Sequence, residues 1–173
     1  MNRKLSAVFM CSTLVLSAVC ACSSEKSYAQ GAKRGAKVDA SQTTAGGCDA
    51  SLWNHVYNPT RLQQLTRCVS VIGVIEESNA EPDGDQHLLL KLDPGQPKLV
   101  NKRNVKKKSG DLVLEIVCVN PITVKKVKSA CTGYTNRVAI PKVGAHVRAT
   151  GTYVIDSHNG WAEIHPVSKL ESM

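Results

Sequence analysis

Trp161, Glu163 and His165 alternate along the stretch Trp161-Ala-Glu-Ile-His-Pro-Val167. In an extended chain the indole, carboxylate and imidazole therefore share one side, with Ala162 and Ile164 on the other. A Glu–His pair at this spacing can hold and move a proton, although isolated polar pairs on a sheet face more commonly hydrogen-bond their neighbours. His87 opens a second alternating run and joins this face only if the strands close so as to place it there. A second candidate is Asp83-Gly84-Asp85 with Asn79, Glu81 and His87 nearby. Oxygen donors at alternate positions around a glycine are how calcium loops are built. The closing glutamate is missing, so this is no EF-hand loop, and a plain hairpin turn explains the Asp and Gly as well. The turn is the expected reading, with Asp83 and Asp85 as secondary metal candidates.

The third feature is charge. The 173-residue chain has a net charge of +8, and its cations cluster at Lys98, Lys102, Arg103, Lys106, Lys107 and Lys108, and again at Lys125, Lys126 and Lys128. Such runs are usually solvated faces; the sharper reading is a surface for anionic lipid, envelope polymer or nucleic acid. There is no G-x-S-x-G elbow, no phosphate-cradling glycine loop and no H-E-x-x-H. No cofactor is expected, and an enzyme is not.

These residues need a scaffold, and five segments supply strand patterns. Residues 68–76 form a β-rich run interrupted by Gly73. Residues 87–93 place Leu88, Leu90 and Leu92 on one face and His87, Leu89 and Lys91 on the other, and residues 112–119 place Leu112, Leu114 and Ile116 opposite Glu115. Residues 143–167 read as two strands around the turn Asp156-Ser-His-Asn-Gly160. A glycine inside a strand marks a bend or bulge, and Gly73 and Gly151 are placed to curl a small sheet. Residues 94–110 read as a loop. Val124, Val127 and Cys131 fall at helical spacing within residues 121–131, which predicts one short amphipathic helix. Asn58-Pro59 suggests a helical turn or two over residues 59–65, and Trp53, Val56, Tyr57, Leu62 and Leu65 are expected to plug one end of the core. The order strand, strand, strand, helix, strand, strand is that of an OB-fold, so the expectation is an all-β, five-stranded OB-fold-like Greek-key barrel with one short helix.

The ends and the sulfur set the compartment. Asn2-Arg3-Lys4 followed by an apolar run is a signal peptide. Val19-Cys20-Ala21-Cys22 resembles a lipobox, which makes Cys22 the expected lipid attachment point and residues 1–22 the leader; ordinary cleavage after Ala29 is the alternative. Residues 23–47 read as a flexible tether, and residues 48–173 as the folded domain. Its four cysteines imply disulfides in an exported protein. Three connectivities are open. Cys48–Cys68 and Cys118–Cys131 are preferred because each pair flanks one local segment, and zinc is disfavoured by the lack of a C-x-x-C spacing.

Several stretches carry a resemblance: Trp53-Asn-His-Val-Tyr57-Asn-Pro-Thr-Arg-Leu62, Pro82-Asp-Gly-Asp-Gln-His87, Gly133-Tyr-Thr-Asn136 and Gly160-Trp-Ala-Glu-Ile-His-Pro-Val167. Over residues 51–168 the chain resembles a group of exported, largely uncharacterised bacterial OB-fold-like proteins. The resemblance implies the barrel and export and brings no catalytic residues.

An OB-fold's ligand face is bordered by the loops joining strands one to two and four to five. Here the first carries Glu76, Glu77, Glu81, Asp83 and Asp85, which repels phosphate and disfavours nucleic acid there. The expected molecule is two-sided, with an acidic rim and a basic flank. The expected function is a non-catalytic binding module in the bacterial envelope. It would be monomeric and lipid-anchored, or else periplasmic or secreted, and would meet an envelope protein or anionic polymer. Nucleic-acid or polyanion binding through the lysines is the first alternative. A metal-dependent or acid–base hydrolase on the His87/Glu163/His165 face is the second.

Overall fold

The structure, a computed structural model, describes residues 46–173; the leader, Cys22 and the tether up to residue 45 lie outside the described residues. Five strands, β1 (Leu62–Ala80), β2 (Gln86–Leu92), β3 (Leu112–Ile116), β4 (His146–Asp156) and β5 (Ala162–Ser172), close into a barrel in the order β1-β2-β3-β5-β4. All pairings are antiparallel except β3 with β5.

Closure depends on β1. At 19 residues it is long enough to pair with β4 along its first part and with β2 along its last, and Gly73 sits where the two pairings meet, opposite both Leu92 and Val147. A Cβ on residue 73 would lie 2.2 Å from the Lys91 carbonyl oxygen. Gly151 has the same role in β4, between two register shifts against β5, where a Cβ would come within 2.5 Å of both Ile164 and the Pro166 carbonyl oxygen. Neither glycine is needed for its backbone angles; each is needed because other atoms occupy the space.

The inward faces of the strands bring Val71, Ile75, Leu88, Leu90, Leu114, Ile116 and Ile164 into a fully buried core. A second cluster joins Leu52 and Val56 to Leu62, Val117 and Val154. The segment before β1 packs there through Leu52, Val56 and Trp53, over a 3-10 helix at Ala50–His55. Leu65, expected in the same plug, is exposed, because residues 62–65 are strand and alternation puts Leu65 on the face opposite Leu62. Cys48–Cys68 and Cys118–Cys131 are bridged, with Cα atoms 5.6 and 5.5 Å apart. Each bridge restricts the unfolded chain by about 3 kcal/mol on loop-closure grounds.

Local readings are corrected in four places. Asn58 lies in the left-handed region and makes no side-chain cap, so Pro59–Arg61 is a single 3-10 turn and β1 begins at Leu62, where β4 offers a partner in Asp156. β3 stops at Ile116 because Cys118 has a φ of 56° and its N–H donates to Asp85 Oδ1 instead of to a strand. The segment at 121–131 is amphipathic, with Val127 buried, but reduces to a 3-10 turn (Lys125–Val127) and one helical turn, α2 (Lys128–Cys131).

Residues 94–110 are not all loop, for Lys102–Lys107 is a helix, α1. Asn101 Oδ1 accepts from the Arg103 and Asn104 N–H groups, and Asn104 Oδ1 accepts from the Asn101 N–H, a capping box made of two asparagines. Asn104 is also fully buried against β5, donating to the Asp111 and Ala162 carbonyls and accepting from the Ala162 N–H. Arg103 Nε donates to the Asn159 carbonyl and Asn101 Nδ2 to the Gly160 carbonyl. The basic segment is thus docked on the β4–β5 turn, and the expected separation of an acidic rim from a basic flank does not hold. That turn is itself braced by the buried Asp156. Burial would raise its pKa, but Asn159, Arg61 and the His158 and Asn159 N–H groups together hold it below the usual carboxylate value.

Because backbone oxygens crowd both positions, Gly73→Ala and Gly151→Ala are each expected to cost about 3 kcal/mol, the upper part of the overpacking range. Urea unfolding of the two variants beside the parent measures this, and an unchanged midpoint for either would show that the strands have room there.

Candidate functional site

The outward faces of β2, β3 and β5 carry the site. Strand alternation sends Leu88, Leu114 and Ile164 into the core, so their neighbours point out. Pairing sets His87 opposite Glu115, while β5 runs parallel to β3 with Glu163 beside Val113. The result is a row of two imidazoles and two carboxylates on the outside of the barrel. None of it is open to water: His87 is 5% exposed, Glu115 6%, Glu163 1% and His165 0%. Asp85 is buried as well, and Glu81 borders the cluster from the β1–β2 turn with its side chain 41% exposed.

Hydrogen bonds decide where the protons sit. Lys108 Nζ lies 2.9 Å from His87 Nε2. An ammonium can only donate, so Nε2 is the acceptor and the imidazole carries its proton on Nδ1. Nδ1 then donates to Glu115 Oε1 at 2.7 Å. The His87–Glu115 contact is therefore a hydrogen bond from a neutral ring and not an ion pair. Burial, and next the Lys108 charge, lower the His87 pKa to about 4, in agreement. Glu115 moves the opposite way: burial raises it well above the usual range, reinforced by the charges of Glu163, Glu81, Asp85 and Asp83. Burial also raises Glu81, and takes Asp85 up to about 7.

Trp161 closes the cluster. Its Nε1 donates to Glu163 Oε2 at 2.9 Å, and its ring lies 4.3 Å from Lys108 Nζ. An ammonium over an indole face is attracted by the ring quadrupole. The ring also meets His87 edge-on, with centroids 6.4 Å apart. Glu163 Oε1 accepts from His165 Nδ1 at 3.1 Å. Two atoms of the cluster, Glu115 Oε2 and His165 Nε2, are buried without a hydrogen-bond partner. Leaving such an atom unpaired costs about 1–3 kcal/mol.

Of the residues singled out from sequence, His87, Trp161, Glu163 and His165 come together. Of the nine basic residues only Lys108 joins them. Lys98, Lys102, Arg103, Lys106, Lys107, Lys125, Lys126 and Lys128 remain on the surface. Asp83 and Asp85 form a turn, in which Asp83 Oδ1 accepts from the Asp85 N–H while Asp85 Oδ1 is taken by Cys118. Asp85 also lies near the sulfurs of Cys118 and Cys131, but those are spent in a disulfide. Sequence reasoning missed Glu115 and the inward turn of Lys108. A lone charge on the apolar strand 112–116 was the available sign for Glu115. An open depression of about 700 Å³, lined by Tyr134, Asn136, Arg137 and Ser168 among others, shares no residue with the cluster.

No family model matches the chain, and no curated protein matches it. The chemistry must be read from the geometry. Exchanging a buried polar pair for apolar side chains is often neutral or stabilising, whereas removing one partner strands the other. The double variant His87→Leu/Glu115→Met is therefore expected to be at least as stable as the parent, with Glu115→Met alone less stable than the double. Urea unfolding of both tests this, and a double variant less stable than the parent would make the cluster a structural support.

Proposed function

We propose that this chain is an exported, lipid-anchored OB-fold-like module of the bacterial envelope that binds a small ligand, without turning it over, on the outer face of β2, β3 and β5. The observation that carries this reading is the pair of buried, unpartnered atoms, Glu115 Oε2 and His165 Nε2, within a cluster of ionisable groups. Interiors rarely keep such groups, because each lowers stability unless something satisfies it. A fold that retains several on one face is consistent with a ligand that completes them.

Other features support the remaining parts. The strand order β1-β2-β3-β5-β4, closed on β1, is the order expected of an OB-fold. The basic n-region, the apolar run and Cys22 support export and lipid attachment, and the two bridges fit an oxidising compartment. The hydrolase reading of the same face is less well supported, since His87 and Glu163 are too enclosed to reach a large substrate.

The test is a thermal-shift panel on the purified full chain, using divalent cations, nucleotides and soluble envelope glycan fragments. At least one class should raise the melting temperature of the parent by a few degrees, as a ligand specific for the folded state must. It should leave His87→Leu/Glu115→Met unmoved. No shift for any class, or equal shifts in parent and variant, would remove the face as a binding site.

A second reading rests on a separate observation. None of the eight outlying cations, from Lys98 to Lys128, forms an ion pair among the described residues. An anionic polymer, nucleic acid included, would have no ion pair of theirs to displace. Its binding should weaken linearly in log–log form as salt rises, and Lys102→Glu/Lys106→Glu/Lys107→Glu should abolish it. Fluorescence anisotropy with labelled single-stranded DNA and anionic glycan decides this, and affinity that ignores both salt and the triple variant would refute it.

A further inference from the structure

We propose that Glu81, His87 and Glu115 form a binding site for one divalent cation of the zinc type, and that the Lys108 ammonium is a tethered competitor for the same charge deficit. The proposal rests on the outer-face reading above and names its ligand.

One ligand atom from each of the three residues lies within 4.8 Å of the others. Glu81 Oε1 is 3.7 Å and Glu115 Oε1 2.7 Å from His87 Nδ1. A tetrahedral zinc with bonds of about 2.0–2.1 Å holds its ligands about 3.3 Å apart. The Glu81 oxygen needs to approach Nδ1 by a few tenths of an ångström, and the two carboxylates, within 4.8 Å of each other, need to draw together around the ion. The Glu115 oxygen needs to retreat by about 0.6 Å, which follows once the Nδ1 proton is gone. Glu115 has a second oxygen, buried and unpartnered, to offer the same ion. Glu81 sits at the surface and leaves an entry path.

The donor set selects the ion. One imidazole with carboxylate oxygens suits zinc and its neighbours; calcium and magnesium prefer an all-oxygen shell. Charge agrees. Glu81, Glu163, Asp85 and Asp83 all bear on Glu115, and among the described residues Lys108 is the cation hydrogen-bonded to the cluster.

Lys108 and the metal exclude each other for a reason of proton placement. His87 now accepts from Lys108 at Nε2 and holds its proton on Nδ1. To bind a metal through Nδ1, the ring must carry that proton on Nε2, which can then no longer accept from an ammonium. Lys108 must swing away, and Trp161 loses the cation 4.3 Å from its ring. The chain has two tryptophans, so Trp53→Phe leaves Trp161 as the sole reporter.

The experiment uses the full chain in the Trp53→Phe background, stripped with chelator and with free thiols alkylated. Zinc, calcium and magnesium are titrated by calorimetry and tryptophan fluorescence. Zinc should bind one to one and change Trp161 emission, with affinity at least about tenfold above that for calcium or magnesium. Glu81→Ala, at a half-buried turn position that should not disturb folding, should weaken zinc about tenfold or more. Lys108→Met should tighten zinc about tenfold and remove most of the emission change. No zinc binding to either the parent or Lys108→Met, or binding indifferent to Glu81→Ala, would overturn the site. Zinc that binds Lys108→Met no tighter than the parent would overturn the competition. Should zinc fail while another ligand class shifts the parent and not the double variant, the outer-face reading survives and the metal does not.

Discussion

The Lys91 carbonyl oxygen stands where a side chain on residue 73 would begin, and most of the molecule follows from that crowding. A strand of 19 residues can serve two neighbours only if it turns sharply between them, and the turn brings β1 and β2 together backbone to backbone. Closure then forces β3 to lie between β2 and β5. Only in that order do His87, Glu115 and Glu163, far apart in the chain, fall on adjacent strands with their side chains on one face. The alternation that fills the core with Leu88, Leu114 and Ile164 also exports the polar residues between them.

What the barrel exports is then covered. Asn104 anchors α1 to the first residue of β5, and the end of that helix delivers Lys108 to His87 and Trp161. Burial drives Glu115 toward its neutral form and the surrounding carboxylates add to it, while His87 is held neutral by burial and by the same lysine. Two groups pushed in opposite directions mark a site better than either does alone. The arrangement is poor for stability, because apolar side chains would fill the same face without unpaired atoms.

Much of this was legible from sequence because it depends on short-range pattern. Period-two runs gave the strands, glycines inside them gave the bends, and cysteines flanking single segments gave both bridges. The Trp161-x-Glu163-x-His165 spacing gave half of the candidate site. The other half depends on register and docking. Glu115 meets His87 only through the pairing of β2 with β3, and a lone glutamate on an apolar strand carries no sign of its partner. The helix at Lys102–Lys107 was hidden because its cap uses Asn104 where a Glu or Gln would signal it, and because its sequence reads as solvated charge. Cys118 was read through as strand because nothing in a cysteine predicts positive φ; the Asp85 carboxylate that accepts from its N–H is a tertiary partner.

The placement of rigid and adjustable parts bears on what such a site is for. His87, Glu115, Glu163 and His165 stand on paired strands of a closed barrel, where they cannot move far. Lys108, one residue past the end of α1, and Glu81, in a turn, are the members with freedom, and both border the same imidazole. A catalytic pair needs access for substrate and a group free to shuttle protons; here the imidazole is held between a lysine and a glutamate. A binding site needs a fixed floor and a few groups that yield when the ligand arrives. The second form is the one the proposed binding role calls for. The internal lysine also spares the carboxylates from facing one another without a cation, which lets a small, bridge-braced barrel keep so many buried ionisable groups and remain folded.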